Sequence, residues 1–233
     1  MTTRRILPLL FVLSVAAACT AFGLRKADYR PDIKATEFVP VVDNPYYPLV
    51  PGTTYKLVER LGKHVSENTI TVTPGTKTIM GVTCVVVRDQ VFEKGALMED
   101  TFDWFAQDRQ GNVWYFGEDT KEFHEGGAVS TKGSWEAGVK GAQPGIVMPA
   151  APAPGAPYRQ EYLASEAEDM GQVVAVDEAV KVPAGAYTGC VRTKEWSELE
   201  SGSDVLSAIE KVPRKGNAPE TRIDIMKIEA TLF

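Results

Sequence analysis

The sequence predicts a mainly β fold, a single curved antiparallel sheet or an open barrel-like domain carrying one or two short helices. Three observations carry this prediction. Runs of β-branched and aromatic residues recur along the chain, among them 69–73 (TITVT), 82–88 (VTCVVVR) and 112–116 (NVWYF). Glycine and proline turn signals separate several of them, as in strands joined by hairpins. Helical periodicity is confined to two short places.

Taken in order, the chain opens with Arg4-Arg5, an uncharged apolar run at 6–15 (ILPLLFVLSV) and three alanines at 16–18. Positive charge, apolar run and small residues in that order read as a secretory signal, residues 1–18. The run is too short to cross a bilayer, which takes about 20 residues. Cys19 then stands where the lipid-bearing cysteine of a bacterial lipobox stands, although Ala16 occupies the position where that motif prefers leucine. Acylation there would hold the protein at a membrane, since each buried methylene contributes about 0.8 kcal/mol. Residues 19–38 show no clear period and read as a tether, and 39–233 as one β-rich domain.

That domain begins at 43–52 (DNPYYPLVPG), where the prolines favour extended backbone and Pro51-Gly52 a turn. After the strand at 69–73, Pro74-Gly75 signals another turn. The stretches 101–107 (TFDWFAQ) and 112–116 flank 108–111 (DRQG), the spacing of a hairpin with a glycine-containing loop. A proline-rich connection follows at 149–157 (PAAPAPGAP), then strand patterns at 173–176, 180–182 and 187–196. The two helical signals are a capping-box spacing from Ser165 to Glu168 and an apolar stripe at 204–212 stopped by Pro213. The tail 223–233 alternates as a strand, with a phase slip at Met226-Lys227 that reads as a bulge.

Composition narrows the partners. The 25 basic and 31 acidic residues give a net charge of −6, which becomes −8 once Arg4 and Arg5 leave with the signal. No basic cluster interrupts this acidity, so nucleic acid is not an expected partner. The two histidines, His64 and His124, lack metal-ligand spacing. With Cys19 assigned to lipid, Cys84 and Cys190 remain as an even pair in an oxidising compartment, either a disulfide or two buried thiols.

Several stretches resemble a family of exported, lipoprotein-like bacterial proteins of uncharacterised function. They are 43–52, 81–89 (GVTCVVVRD), 99–120 (EDTFDWFAQDRQGNVWYFGEDT), 133–139 (GSWEAGV) and 158–162 (YRQEY). The resemblance implies an exported β-rich domain and carries no reaction. The region 205–226 departs from the family's pattern.

Chemistry concentrates in the acidic and aromatic block from Glu99 to Asp119. Alternation puts Thr101, Asp103, Phe105 and Gln107 on one face of their strand, and Asp100, Phe102, Trp104 and Ala106 on the other. Carboxylates beside aromatic rings are desolvated, and Asp100, Asp103 and Glu161 are the candidate cluster. Structural ion pairs with Arg88, Arg159 or Lys121 are the plainer fate of these acids. Arg159 and Glu161 share a face by alternation within 158–162, which reads as an internal ion pair. Calcium, which wants six to eight oxygens, would find them at Asp108, Asn112, Glu118 and Asp119. Together these features predict an exported, lipid-anchored binding or scaffolding module rather than an enzyme. A calcium-binding domain and a carboxylate-dependent hydrolase are the alternatives. The expected partners are the membrane, through the anchor, and an apolar ligand, a cell-wall polymer or a protein at the sheet. No cofactor is expected apart from calcium.

Overall fold

The computed structural model describes residues 29–61, 64–182, 185–199 and 209–211. The signal segment, Cys19, most of the 204–212 stripe and the tail strand lie outside the described residues. The strands in chain order are β1 (Phe38–Val39), β2 (Thr54–Leu61), β3 (His64–Ile79), β4 (Val82–Glu93), β5 (Ala96–Asp108), β6 (Val113–Phe123) and β7 (Val129–Ser130). They continue as β8 (Trp135–Glu136), β9 (Gln143–Met148), β10 (Tyr158–Arg159), β11 (Glu161–Tyr162), β12 (Asp169–Val182), β13 (Gly185–Ser197) and β14 (Ile209–Lys211).

The mainly β, antiparallel expectation is borne out as a strongly curled half-barrel sheet in the order β11-β9-β6-β5-β4-β3-β2. Beside it, β10-β12-β13-β14 form a second sheet. The long strands form a meander because tight turns fix their pairing. Met80-Gly81 and Lys94-Gly95 each place both loop residues at positive φ, the geometry whose twist matches flanking antiparallel strands. Register follows from the turns, with Ile79 opposite Val82 and Glu93 opposite Ala96.

Register shifts then curl the sheet. The ladder between β3 and β4 slips between Val72 and Thr76, around Pro74-Gly75. This corrects the expected turn there: β3 runs through as one strand. The Thr73 hydroxyl supports the irregularity, donating to the Val86 carbonyl at 2.8 Å and accepting from Gly75 N–H at 3.1 Å. A second slip pairs Asp103 with Glu118 but Phe105 with Tyr115, so β6 carries one extra residue at Phe116-Gly117.

Helical expectations fare differently. Among the described residues the helical structure is one 3-10 turn, Ala35–Glu37. Ser165 N–H does bond the Glu168 carboxylate at 2.9 Å, half of a capping box. No helix follows, because Ser165 sits at φ 64° and Leu163 bridges Ala167 in a tight reversal. Of the stripe at 204–212, residues 209–211 are strand paired with β13, not helix.

Packing proceeds on both sides of the curled sheet. On one side Val82, Cys84, Trp104, Ala106 and Phe116 are buried, with Phe38 edge-on to Phe116 at 5.5 Å. On the other side Val72, Val85, Val87 and Phe105 meet Val42 and Leu49 from the entering segment. Asn44 secures that segment: its N–H bonds Gln107 at 2.8 Å, and its amide donates to the Gly111 and Pro149 carbonyls. Residues expected as tether also pack on the sheet, for the Tyr29 hydroxyl donates to the Pro144 carbonyl.

The cysteine bridge is corrected. Cys84 lies in β4 of the large sheet and Cys190 in β13 of the second, and they form no disulfide. Both are fully buried. Burial pushes the Cys84 thiol up to about 12, which keeps it protonated.

Gly117 joins the two faces. Its φ is 128°, and a Cβ there would lie 2.2 Å from the Trp135 carbonyl oxygen. Gly117→Ala is therefore expected to cost at least about 3 kcal/mol, by backbone strain and collision with β8. Gly95→Ala, at positive φ in open space, should cost about 1 kcal/mol. Equal losses in urea denaturation would show that the bulge tolerates a side chain.

Candidate functional site: an acidic sheet face

The bulge at Phe116-Gly117 decides what faces inward. Tyr115 and Glu118 are three apart and in a regular strand would point to opposite sides. The extra residue turns both towards Asp103 on β5. Glu118 sits directly across from Asp103, and the Tyr115 hydroxyl donates to the Asp103 carboxylate at 2.7 Å. Further along the same face come Asp89 of β4 and Glu99 of β5. Glu99 accepts from the Thr101 hydroxyl at 2.8 Å, and Asp89 accepts from the Asn68 amide at 3.4 Å. Trp135 of β8 pairs across from Glu118, its ring edge-on to Tyr115 at 5.3 Å. Glu161 of β11, 8% exposed, closes the row.

Apolar rings form the floor. Phe105 stacks on Tyr115 at 4.8 Å, and Tyr47 tilts against Phe105 at 5.5 Å. The acids above this floor are set deep among protein atoms, yet Asp89, Asp103 and Glu118 keep part of their surface in contact with solvent. These acids are thus recessed in the face but not sealed from solvent.

Burial dominates their electrostatics, and neighbouring acids add to it. Asp89 is pushed up to about 7 by burial and by the Glu99 charge, against the Asn68 hydrogen bond. Asp103 is likewise raised to about 7 by burial, Asp89 and Glu99, with the Tyr115 hydroxyl opposing. Glu118 is raised to about 9 by burial, then by Asp103, Glu161 and Glu99. Glu161 is raised to about 8 by burial and by the Asp169 and Asp103 charges, while Trp135 pulls it down. Among the described residues no lysine or arginine is paired with any of these four.

Of the three acids expected to cluster, Asp103 and Glu161 do share this face. Asp100 lies on the opposite side of β5, where Arg88 grips it with two bonds of 2.7 and 2.9 Å. That hydrogen-bonded pair holds the Asp100 carboxyl below its usual range. The expected ion pair between Arg159 and Glu161 is corrected. Gln160 is where the chain changes sheets, so Arg159 in β10 bonds Glu198 at 2.7 Å while Glu161 belongs to the large sheet.

The four residues named for calcium do not converge. Asp108 Oδ1 accepts from the backbone of Gln110 and Asn112, and its Oδ2 from the Asn112 amide and the Trp114 indole. Asn112 Oδ1 accepts from Ala150 N–H. Glu118 lies across from Asp103 and Asp119 is exposed. Among the described residues no group of three or more His, Cys, Asp or Glu is arranged to hold a metal ion.

Sequence reasoning missed Asp89, Glu99 and Tyr115 as members of the site. Alternation back from Val85 and Val87 would have found Asp89, and alternation from Asp103 and Thr101 would have found Glu99. Compared with protein-family models, with curated proteins and with solved structures, the chain matches none.

The raised acids fix the sign of the pH dependence. Their native pKa values exceed those of the unfolded chain, about 4, so the native state binds more protons between about pH 4 and pH 9. Stability from these groups is therefore greatest near the acid end of that window and declines as pH rises through it. The melting temperature should fall by several degrees from pH 5 to pH 9, and Glu118→Gln should raise it at pH 9 and flatten the slope. A profile unchanged by Glu118→Gln would mean that the carboxylate is neutralised in another way.

Proposed function

We propose that this protein is an exported, lipid-anchored binding module, held at the cell envelope through Cys19 and receiving its ligand on the acidic face of the curled sheet. The observation that carries the binding half is the recessed row of Asp89, Asp103, Glu118 and Glu161 above the Tyr47–Phe105–Tyr115 floor. Such an arrangement costs stability, because like charges and desolvated carboxyls oppose folding. A face built only to fill space would carry aliphatic residues there, as the neighbouring Val72, Val85 and Val87 do. A few recessed polar groups beside an apolar lining are what small-ligand sites use to fix orientation. The anchoring half rests on residues 1–19 and on the resemblance to exported lipoprotein-like proteins.

A carboxylate-dependent hydrolase is the second reading. The direct opposition of Asp103 and Glu118 favours it, because two acids driven to different pKa values can divide acid and base roles.

Native mass spectrometry of the protein extracted from its host membrane reads both halves of the proposal. The expected mass is that of an acylated chain starting at Cys19, with a ligand adduct that Asp103→Asn and Glu118→Gln remove. An unmodified N-terminus would remove the anchor. A persistently bare chain would remove the binding reading, and turnover of the adduct by the parent but not the variants would favour the hydrolase.

A further inference from the structure

The two ends of β4 carry turns of one backbone geometry and opposite chemistry. At one end Lys94-Gly95 holds a charged side chain in solvent. At the other, Met80-Gly81 puts a methionine at φ 50°, where asparagine, aspartate or glycine is the usual choice, and leaves it 43% exposed. Met80 has a neighbour of the same kind. A Cβ on Gly138 would lie 3.1 Å from Met80 Cγ, so the methionine sits beside the turn at Val139-Lys140. That turn closes through the Ala142 N–H on the Val139 carbonyl at 2.9 Å and leaves Val139 48% exposed. Lys140, also exposed, follows at φ 51°. Turns from two separate parts of the chain thus bring exposed methionine, valine and lysine to one corner.

The route of the N-terminal segment indicates what this corner meets. Tyr29 donates its hydroxyl to the Pro144 carbonyl at 3.1 Å, and Pro144 stands four residues after Lys140. Ile33 then packs on the core that holds Ile79 and Val82. A Cβ on Gly81 would lie 3.5 Å from the Ala35 Cβ. The segment coming from Cys19 therefore docks beside both turns. Cys19 is ten residues before Tyr29, which limits its reach to about 35 Å. The Lys94 turn lies at the far end of a strand of 12 residues, about 40 Å away from Met80.

We infer that the Met80–Val139 corner is the side the anchored protein turns to the lipid surface, with both apolar side chains entering the headgroup region. This inference rests on the reading of Cys19 as the lipid attachment site. Apolar tips next to a lysine suit that boundary, where acyl chains lie below and phosphates above. The acyl chains hold the protein, and the corner sets which way it faces. Two side chains are too few to hold it alone.

Fluorescence quenching of the acylated protein in vesicles of phosphatidylethanolamine and phosphatidylglycerol tests this. Cys84 and Cys190 are fully buried and a lipid-bearing Cys19 has no free thiol, so a thiol-reactive fluorophore reports on one introduced cysteine. The positions are Met80→Cys, Val139→Cys and, as the far-end control, Lys94→Cys. Nitroxide lipid should quench labels at 80 and 139 at least about twofold more than at 94, because interfacial side chains sit about 5–10 Å into the headgroup boundary. Two corner positions keep the comparison available if one variant fails to fold. Equal quenching at all three positions, or stronger quenching at 94, would overturn the orientation, while co-flotation with the vesicles would leave the anchor standing. Labels at 80 and 139 shielded from aqueous iodide but untouched by the lipid quencher would mean that protein covers the corner, which overturns the lipid assignment. Failure to float with the vesicles would remove the anchor and the orientation with it.

Discussion

The extra residue in β6 is the constraint on which the rest depends. Phe116 is fully buried in the core on the side away from the acids, where it receives Phe38, and its carbonyl accepts from Ala137 N–H at 2.9 Å. Gly117 lets the β8 backbone come closer than any side chain would allow. Between them they shift the phase of β6, so that Tyr115 and Glu118 both turn inward. Without the bulge, the tyrosine that bonds Asp103 and the glutamate that opposes it could not be on one face. One glycine therefore links the packing of the core on one side to the chemistry of the other.

That chemistry is held against resistance. Apolar packing on both sides of the sheet is the favourable term, and the row of desolvated acids opposes it. Elsewhere the chain places its charges conventionally. Lys77 meets Glu136 at 2.7 Å above the Trp104 ring, and Arg88 grips Asp100. Such partly exposed pairs contribute about 1 kcal/mol or less each. The recessed acids have no such partner among the described residues, although lysines and arginines are available in the sequence. Sites that bind or react commonly give up stability in this way.

Much of the fold was legible because the signals were local. The hairpin of β5 and β6 follows from Asp108, Gly111 and Asn112, whose turn bonds are the ones those residue types make. Alternation in β5 correctly set Asp103 apart from Asp100. Errors arose where pairing, not local pattern, decides. Pro74-Gly75 reads as a turn, but tertiary pairing with β4 carries the strand through it. Arg159 and Glu161 share a face by alternation, yet the chain changes sheets between them. Glu118 was grouped with Asp108 because no local signal marks the bulge that swings it inward. Cys84 and Cys190 looked matched because their strands are similar, and similar strands here belong to different sheets.

Burial among protein atoms holds the inward acids in protonatable form. Carbon-13 NMR titration of the side-chain carboxyls measures this group by group. Glu118 and Glu161 should titrate far above ordinary carboxyls, at about 9 and about 8, and Asp103 at about 7, while Asp100 titrates below its usual range. Titration of Asp103, Glu118 and Glu161 near 4, together with Asp100, would contradict this, because those acids would then be solvated or paired and their face would have no special chemistry.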